Sequence, residues 1–197
     1  KFNHFKYYEN DINIGLIKSL NRALLIANGK YLVRADADDL FDNSILKDYL
    51  KIINTLDHKS NFVLSSKSFY LKGEKIVKPI FRYSVLNKNI KKILLLENQI
   101  NHPSSCFPNH KKNNILYGDE NKVKYFEDFD LWIRMVGMGY NIISTDRRYL
   151  YYRVHESSIT KKFNTEKSIL KENYLFRTEL KHFFTSNEIS LIAGKKE

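Results

Sequence analysis

The tightest constraint in this chain is a short apolar run that empties into three carboxylates: Tyr31-Leu32-Val33-Arg34-Ala35-Asp36-Ala37-Asp38-Asp39. The run reads as a buried strand over 31–35 that leaves the core at its carboxyl end. Carboxylates at such a point are costly unless a cation meets them. A divalent metal carrying a diphosphate answers that demand, because hard oxygen ligands suit Mg²⁺ or Mn²⁺. The other reading is acidic capping of the next helix, since Asp is favoured at helix N-termini and stabilised there by the dipole. An EF-hand is excluded. With Asp36 as first ligand, Phe41 falls where that loop needs Gly and Lys47 where it needs a bidentate Glu.

The elements around this turn follow from hydrophobic spacing. Leu16, Leu20, Ala23, Leu24 and Ala27 share one helical face, and Gly29 ends the helix. Asn43 or Ser44 caps a second helix whose inner face holds Leu46, Tyr49, Leu50 and Ile53. Phe62 to Ser65 is a strand, and Phe69–Leu71 with Ile76–Val77 flank a Gly73 hairpin turn. Residues 90–96 read as helical and 100–107 as extended, broken by Pro103. Residues 108–124 read as loop. A helix opens at Asp128, strands follow at 141–144 and 149–154, and a long amphipathic helix over 166–184 closes the chain. Alternating helices and strands predict an α/β layered fold with a mainly parallel sheet, whose ligands gather at strand carboxyl ends.

The 197 residues suit one compact unit without repeats or linkers, and 43% apolar with 28% charged content is globular. No apolar stretch approaches the roughly 20 residues needed to cross a bilayer. Cys106 is the single cysteine, which excludes an internal disulfide and a cysteine-based zinc site and favours a reducing, cytoplasmic setting. The net charge is +11, from 33 basic and 22 acidic residues. It has two readings: a solvated lysine-rich surface, or attraction to anionic lipid headgroups or an acidic acceptor. Aromatics sit in apolar runs and no nucleic-acid motif appears, so nucleic acid is not an expected partner.

Three further constellations carry chemistry. In Phe126-Glu127-Asp128-Phe129-Asp130-Leu131-Trp132-Ile133-Arg134, three carboxylates cluster at a helix start. They read either as caps, with Leu131 and Trp132 in the core and Arg134 pairing with Asp130, or as a site in which Asp128 is a general base at a cleft rim. Asn101-His102-Pro103-Ser104-Ser105 and Tyr151-Tyr152-Arg153-Val154-His155 each place a histidine near a strand end, as a structural residue or as a ligand. No nucleophile elbow and no phosphate-cradling glycine loop is present.

The order of these pieces resembles family 2 glycosyltransferases of the GT-A fold. The resemblance runs through Asn13-Ile14-Gly15-Leu16, Ser19-Leu20-Asn21, Ala27-Asn28-Gly29-Lys30-Tyr31 and Arg34-Ala35-Asp36-Ala37-Asp38-Asp39. It continues with the segment Glu97-Asn98-Gln99-Ile100-Asn101-His102-Pro103-Ser104, then Glu127 to Arg134, then Tyr152 to Ser158. It implies a Rossmann-like, mostly parallel sheet flanked by helices, and inverting transfer of a sugar from a nucleotide-diphosphate donor to an acceptor hydroxyl. UDP is the commonest donor nucleotide of such enzymes. Asp36 and Asp38 match the Asp-x-Asp motif; Asp38 is the expected direct ligand of Mn²⁺ or Mg²⁺, with Asp36 near ribose and metal, Asp39 beside them and His155 a further metal or phosphate contact. Asp128 matches the catalytic base, and His102, Glu127 and Trp132 are expected on the acceptor side.

The resemblance also shows a departure. The family's opening strand, helix and second strand, which hold the nucleotide base, have no counterpart, and Lys1 falls near the family's third strand. The chain is therefore expected to be N-terminally truncated and inactive or weakly active alone. Residues 1–160 are expected to form the C-terminal part of a catalytic domain, and 161–197 a helical extension packed on it. The expected role is in bacterial surface glycan synthesis (polysaccharide, lipooligosaccharide or capsule), on a glycan or lipid-linked acceptor, in the cytoplasm or peripherally at the inner membrane face. The alternatives are a non-catalytic remnant of the fold acting as an interaction domain, and a basic module binding membrane or nucleic acid.

Overall fold

A computed structural model describes residues 4–56, 61–80, 94, 98–109, 115–123 and 125–156. In chain order these form α1 (Leu16–Ile26), β1 (Tyr31–Val33), β2 (Leu40–Phe41), α2 (Ile45–Thr55), β3 (Phe62–Lys72), β4 (Lys75–Ile80), β5 (Cys106–Pro108), α3 (Glu120–Val123), α4 (Glu127–Gly137) and β6 (Asn141–Arg153). The expected helix over 90–96 lies outside the described residues except for Leu94, which is helical and fully buried. The closing helix over 166–184 and the boundary at 160/161 lie outside them altogether.

The sheet runs β1-β5-β3-β6-β2, with β4 added to β3 as a hairpin. Its long seam is parallel, from Phe62 opposite Asn141 to Leu71 opposite Arg153. The expected mainly parallel sheet is only partly found: β5 lies antiparallel between β1 and β3, β2 runs antiparallel to β6, and β4 antiparallel to β3. Helical crossovers do align β1, β3 and β6. The short returns through β5 and β2 carry no helical period, so sequence alternation could not place them. Side chains alternate across the sheet. Val63, Phe107 and Ile142 face a core shared with α1 and α4, whereas Phe62, Leu64, Cys106 and Tyr149 face α2. The result is three layers, helix on sheet on helix.

Several expected boundaries shift, each for a visible reason. Helix α1 ends when Ala27 turns extended (φ −63°, ψ 134°), two residues before Gly29, and it buries Ile17 and Leu20 while Leu16 is largely exposed. Helix α2 buries Ile45, Tyr49 and Ile53 rather than the Leu46/Leu50 stripe. Both stripes fit the helical period; the Tyr49 hydroxyl, which donates to the Ser104 carbonyl at 2.9 Å, selects the face. Strand β1 stops at Val33 and is only half-buried, because among the described residues it pairs on one side alone. The two strands expected over 141–154 are one, with extra residues of β6 bulging opposite Ser66–Ser68.

Candidate active site

Beyond β1 the chain is held to the 101–105 turn. The Arg34 N–H donates to the Ser105 carbonyl at 3.0 Å, and the Ser104 N–H donates to the Arg34 carbonyl at 2.9 Å. That clasp fixes where the acidic turn begins. The Arg34 guanidinium pairs with Asp36 Oδ1. Burial still pushes the Asp36 carboxyl above the usual range, with Arg34 opposing and Asp38 adding to the rise. Asp36, Asp38 and Asp39 each offer an oxygen within 4.8 Å of the others.

The carboxyl end of β6 closes over this turn. The Arg153 N–H donates to Asp39 Oδ1 at 2.8 Å, and its Nε donates to the Asp38 carbonyl at 2.8 Å. The same guanidinium reaches the Gly73 carbonyl at the β3–β4 turn. His155 Nε2 lies 3.1 Å from Asp38 Oδ2. Burial raises Asp39 to about 6, the Arg153 N–H opposing and the neighbouring Asp38 and Asp36 adding to the rise. Its Oδ2 is buried without a hydrogen-bond partner. His155, which the resemblance implied as a metal or phosphate contact, thus lies beside the Asp-x-Asp turn. Sequence reasoning missed Arg153, whose only signal was its place two residues before that histidine.

The second cluster forms the first turn of α4, and the structure divides its three carboxylates. Asp130 is buried and holds Arg134 through Nε at 2.9 Å and Nη2 at 2.6 Å; Arg134 Nη2 also donates to the Leu116 carbonyl at 2.7 Å. This is the expected helical ion pair, and it fastens the 115–118 segment to α4. Gly118 packs so closely there that a Cβ would lie 2.7 Å from Asp130 Oδ2. Asp128 is half-buried, its Oδ2 accepting from Asn98 Nδ2 at 2.8 Å and its Oδ1 from the Phe129 N–H at 2.7 Å. Burial, with the Asp128 charge beside it, raises Glu127 to about 7.

His102 joins the clusters from the 101–105 turn. Its Nε2 lies 2.8 Å from the Tyr117 hydroxyl, and its Nδ1 lies 4.0 Å from Glu127 Oε1. Burial, with Arg34 nearby, depresses it to about 3, so the imidazole is neutral at physiological pH. Trp132 is fully buried, edge-on to His102 at 6.0 Å and to Phe107 at 5.9 Å. It backs His102 from the core instead of lining an open surface. Asn98 and Tyr117, which anchor Asp128 and His102, were not singled out from the sequence. Tyr117 lay in a stretch read as loop, with nothing local to mark it.

Arg34 connects the two halves. It pairs with Asp36, clasps the turn that carries His102, and its charge is felt by both His102 and Glu127. Acidic groups at the end of β1 and the start of α4 thus share one cation, with the neutral imidazole of His102 beside them.

The profile of glycosyl transferase family 2 matches residues 1–113, and the chain belongs to that family. Its fold is the GT-A fold of TarS from S. aureus: the 1–349 form superposes with a TM-score of 0.51 at 20% identity, over 83% of this chain and 52% of that one. Curated relatives agree in kind. The bifunctional glycosyltransferase pgtA of Dictyostelium discoideum is 23% identical over 96% of this chain and 32% of its own length. An uncharacterised glycosyltransferase of Methanocaldococcus jannaschii is 28% identical over 75% and 50%. The amylovoran biosynthesis glycosyltransferase AmsE of Erwinia amylovora is 25% identical over 76% and 54%. The chain spans about half the length of these relatives or less.

Proposed function

We propose that this chain carries the metal-binding and acceptor-activating groups of an inverting glycosyltransferase that moves a sugar from a nucleotide-diphosphate donor to an acceptor hydroxyl. The observation that supports this most directly is the junction through Arg34 of the acidic turn and the α4 cluster. The reaction needs those two functions side by side: charge control at the leaving diphosphate and a base at the attacking hydroxyl.

The donor set at the turn fits a hard divalent cation, Mn²⁺ or Mg²⁺. It is three carboxylates and an imidazole, and the buried Asp39 Oδ2 lacks any other partner. Asp38 with His155 and Asp36 would hold it, and Asp39 spans the turn and β6. When bound, the ion supplies Lewis-acid neutralisation of the departing diphosphate. Asp128 accepts the proton of the acceptor hydroxyl as that oxygen bonds to the anomeric carbon and the carbon–phosphate oxygen bond breaks. Nucleoside diphosphate leaves with the bonding pair, and one displacement inverts the centre. Asn98 holds Asp128 in place, and orientation of this kind supplies much of the rate in a displacement. His102, a neutral imidazole, and Glu127 border the acceptor side next to Asp128.

The donor nucleotide we propose is UDP, the acceptor a glycan or lipid-linked glycan, and the setting bacterial surface glycan synthesis at the cytoplasmic face of the membrane. The amylovoran biosynthesis role named for AmsE is of this kind. Among the described residues no helix is long and apolar enough to cross a membrane; the association we propose is peripheral. Residues 1–160 form the catalytic unit of this reading and 161–197 its extension. Calorimetric titration tests it. UDP should bind only with Mn²⁺, and Asp38→Ala should remove that binding; metal-independent binding, or binding that survives the substitution, overturns the assignment.

A further inference from the structure

We infer that the β3–β4 hairpin docks the protein onto an anionic lipid surface. The hairpin tip, 72–78, holds Lys72, Lys75 and Lys78 against one carboxylate, Glu74, and all are exposed. Lys72 and Lys75 are direct register partners across the hairpin. Like charges so placed destabilise a strand pair, and no ion pair among the described residues engages either one. An anion between them would remove that cost. Lys78 lies over the Tyr70 ring with its Nζ 5.4 Å from the centroid, so its charge is held beside the other two.

The apolar side chains decide which anion. Ile76 and Val77 are 53% and 58% exposed. A register shift opposite Tyr70/Leu71 leaves Val77 as the extra residue, between Ile76 opposite Leu71 and Lys78 opposite Tyr70. Single exposed apolar residues are ordinary. Two adjacent ones at a lysine-flanked tip match an interface with headgroups outside and hydrocarbon beneath, which a free phosphate cannot supply. The net charge of +11 favours the same approach.

The tip is also tied to the site. Arg153 bridges the Gly73 carbonyl and the Asp38 carbonyl, so a hairpin resting on a bilayer holds the acidic turn near that surface. This last consequence, delivery of a lipid-linked acceptor, rests on the transferase reading; the docking itself does not.

Co-flotation with vesicles tests the docking on the whole chain. The protein should float with phosphatidylcholine vesicles containing phosphatidylglycerol and not with phosphatidylcholine alone. Lys72→Glu with Lys75→Glu should reduce partitioning by at least about fivefold per lysine, and Ile76→Ser with Val77→Ser should reduce it without changing charge. Lys6→Glu with Lys47→Glu, a charge-matched change away from the hairpin, should leave most of it. The proposal is overturned if the parent does not float, or if the hairpin variants float like the parent. It is also overturned if the control pair loses as much, or if inorganic pyrophosphate releases the parent while the serine pair behaves normally. Mn²⁺-dependent UDP titration of the same samples reports the transferase reading separately, since none of these residues lies in its site.

Discussion

The acidic turn after β1 and the acidic first turn of α4 have the same composition, three carboxylates in a few residues, and opposite fates. At the β1 turn the three stay together, their oxygens within 4.8 Å, held from outside by Arg34, Arg153 and His155. At α4 they are dispersed around a helix: Asp130 turns into the core against Arg134, Glu127 sits half-buried beside His102, and Asp128 meets Asn98. A turn can converge its side chains on one point, whereas a helix sends successive residues roughly 100° apart. The first arrangement suits a cation. The second suits three separate tasks, one structural, one electrostatic and one chemical.

The sharpest break in that division is at Asp130. If its task is structural, Asp130→Ala strands the half-buried Arg134 guanidinium and should cost about 3 kcal/mol, read as a lower midpoint in urea. A change within experimental scatter would mean the α4 cluster is less differentiated than its contacts indicate. Next in size is His155 at the other cluster. Its contact with Asp38 predicts that His155→Ala weakens Mn²⁺-dependent UDP binding about tenfold, measured by calorimetry, with thermal stability nearly unchanged. Equal affinity would remove the imidazole from the metal side.

A third test sharpens the comparison through pH. Glu127 is raised from an ordinary 4.5 to about 7 by burial and by Asp128. Between those values the folded chain keeps a proton that the unfolded chain releases, so stability falls as pH rises through that window. His102, depressed from 6.5 to about 3, has the opposite sign and gains stability as pH rises between its two values. Glu127→Gln removes only the first slope. The melting temperature of the parent relative to the variant should therefore decline from about pH 4.5 to about pH 7, and a constant difference would show that Glu127 is not held protonated.

How much of this was legible in the sequence divides along the same line. The Asp36-Ala37-Asp38-Asp39 turn was readable because its meaning is local: an apolar run, then carboxylates, with no spacing to resolve. The Asp130–Arg134 pair was readable because helical spacing is fixed. Asn98, Tyr117 and Arg153 reach their partners across 30, 15 and 114 residues, and no periodicity encodes those meetings. Trp132 had two readings, core or acceptor side, which its local motif could not separate; the helix is buried nearly all round and turns the ring into the core. The sheet was legible as α/β from alternation, while the antiparallel strands β2 and β5, two and three residues long, carry too little pattern to be seen.

The central claim is that the two clusters serve one reaction with divided roles, and Asp128→Asn tests it most directly. The substitution keeps the size and the Asn98 contact site but removes the proton acceptor. Turnover should fall by roughly 10²- to 10⁴-fold while Mn²⁺-dependent donor affinity stays within about twofold of the parent. Turnover that survives, or donor binding that is lost together with turnover, would contradict the division of labour between the β1 turn and α4.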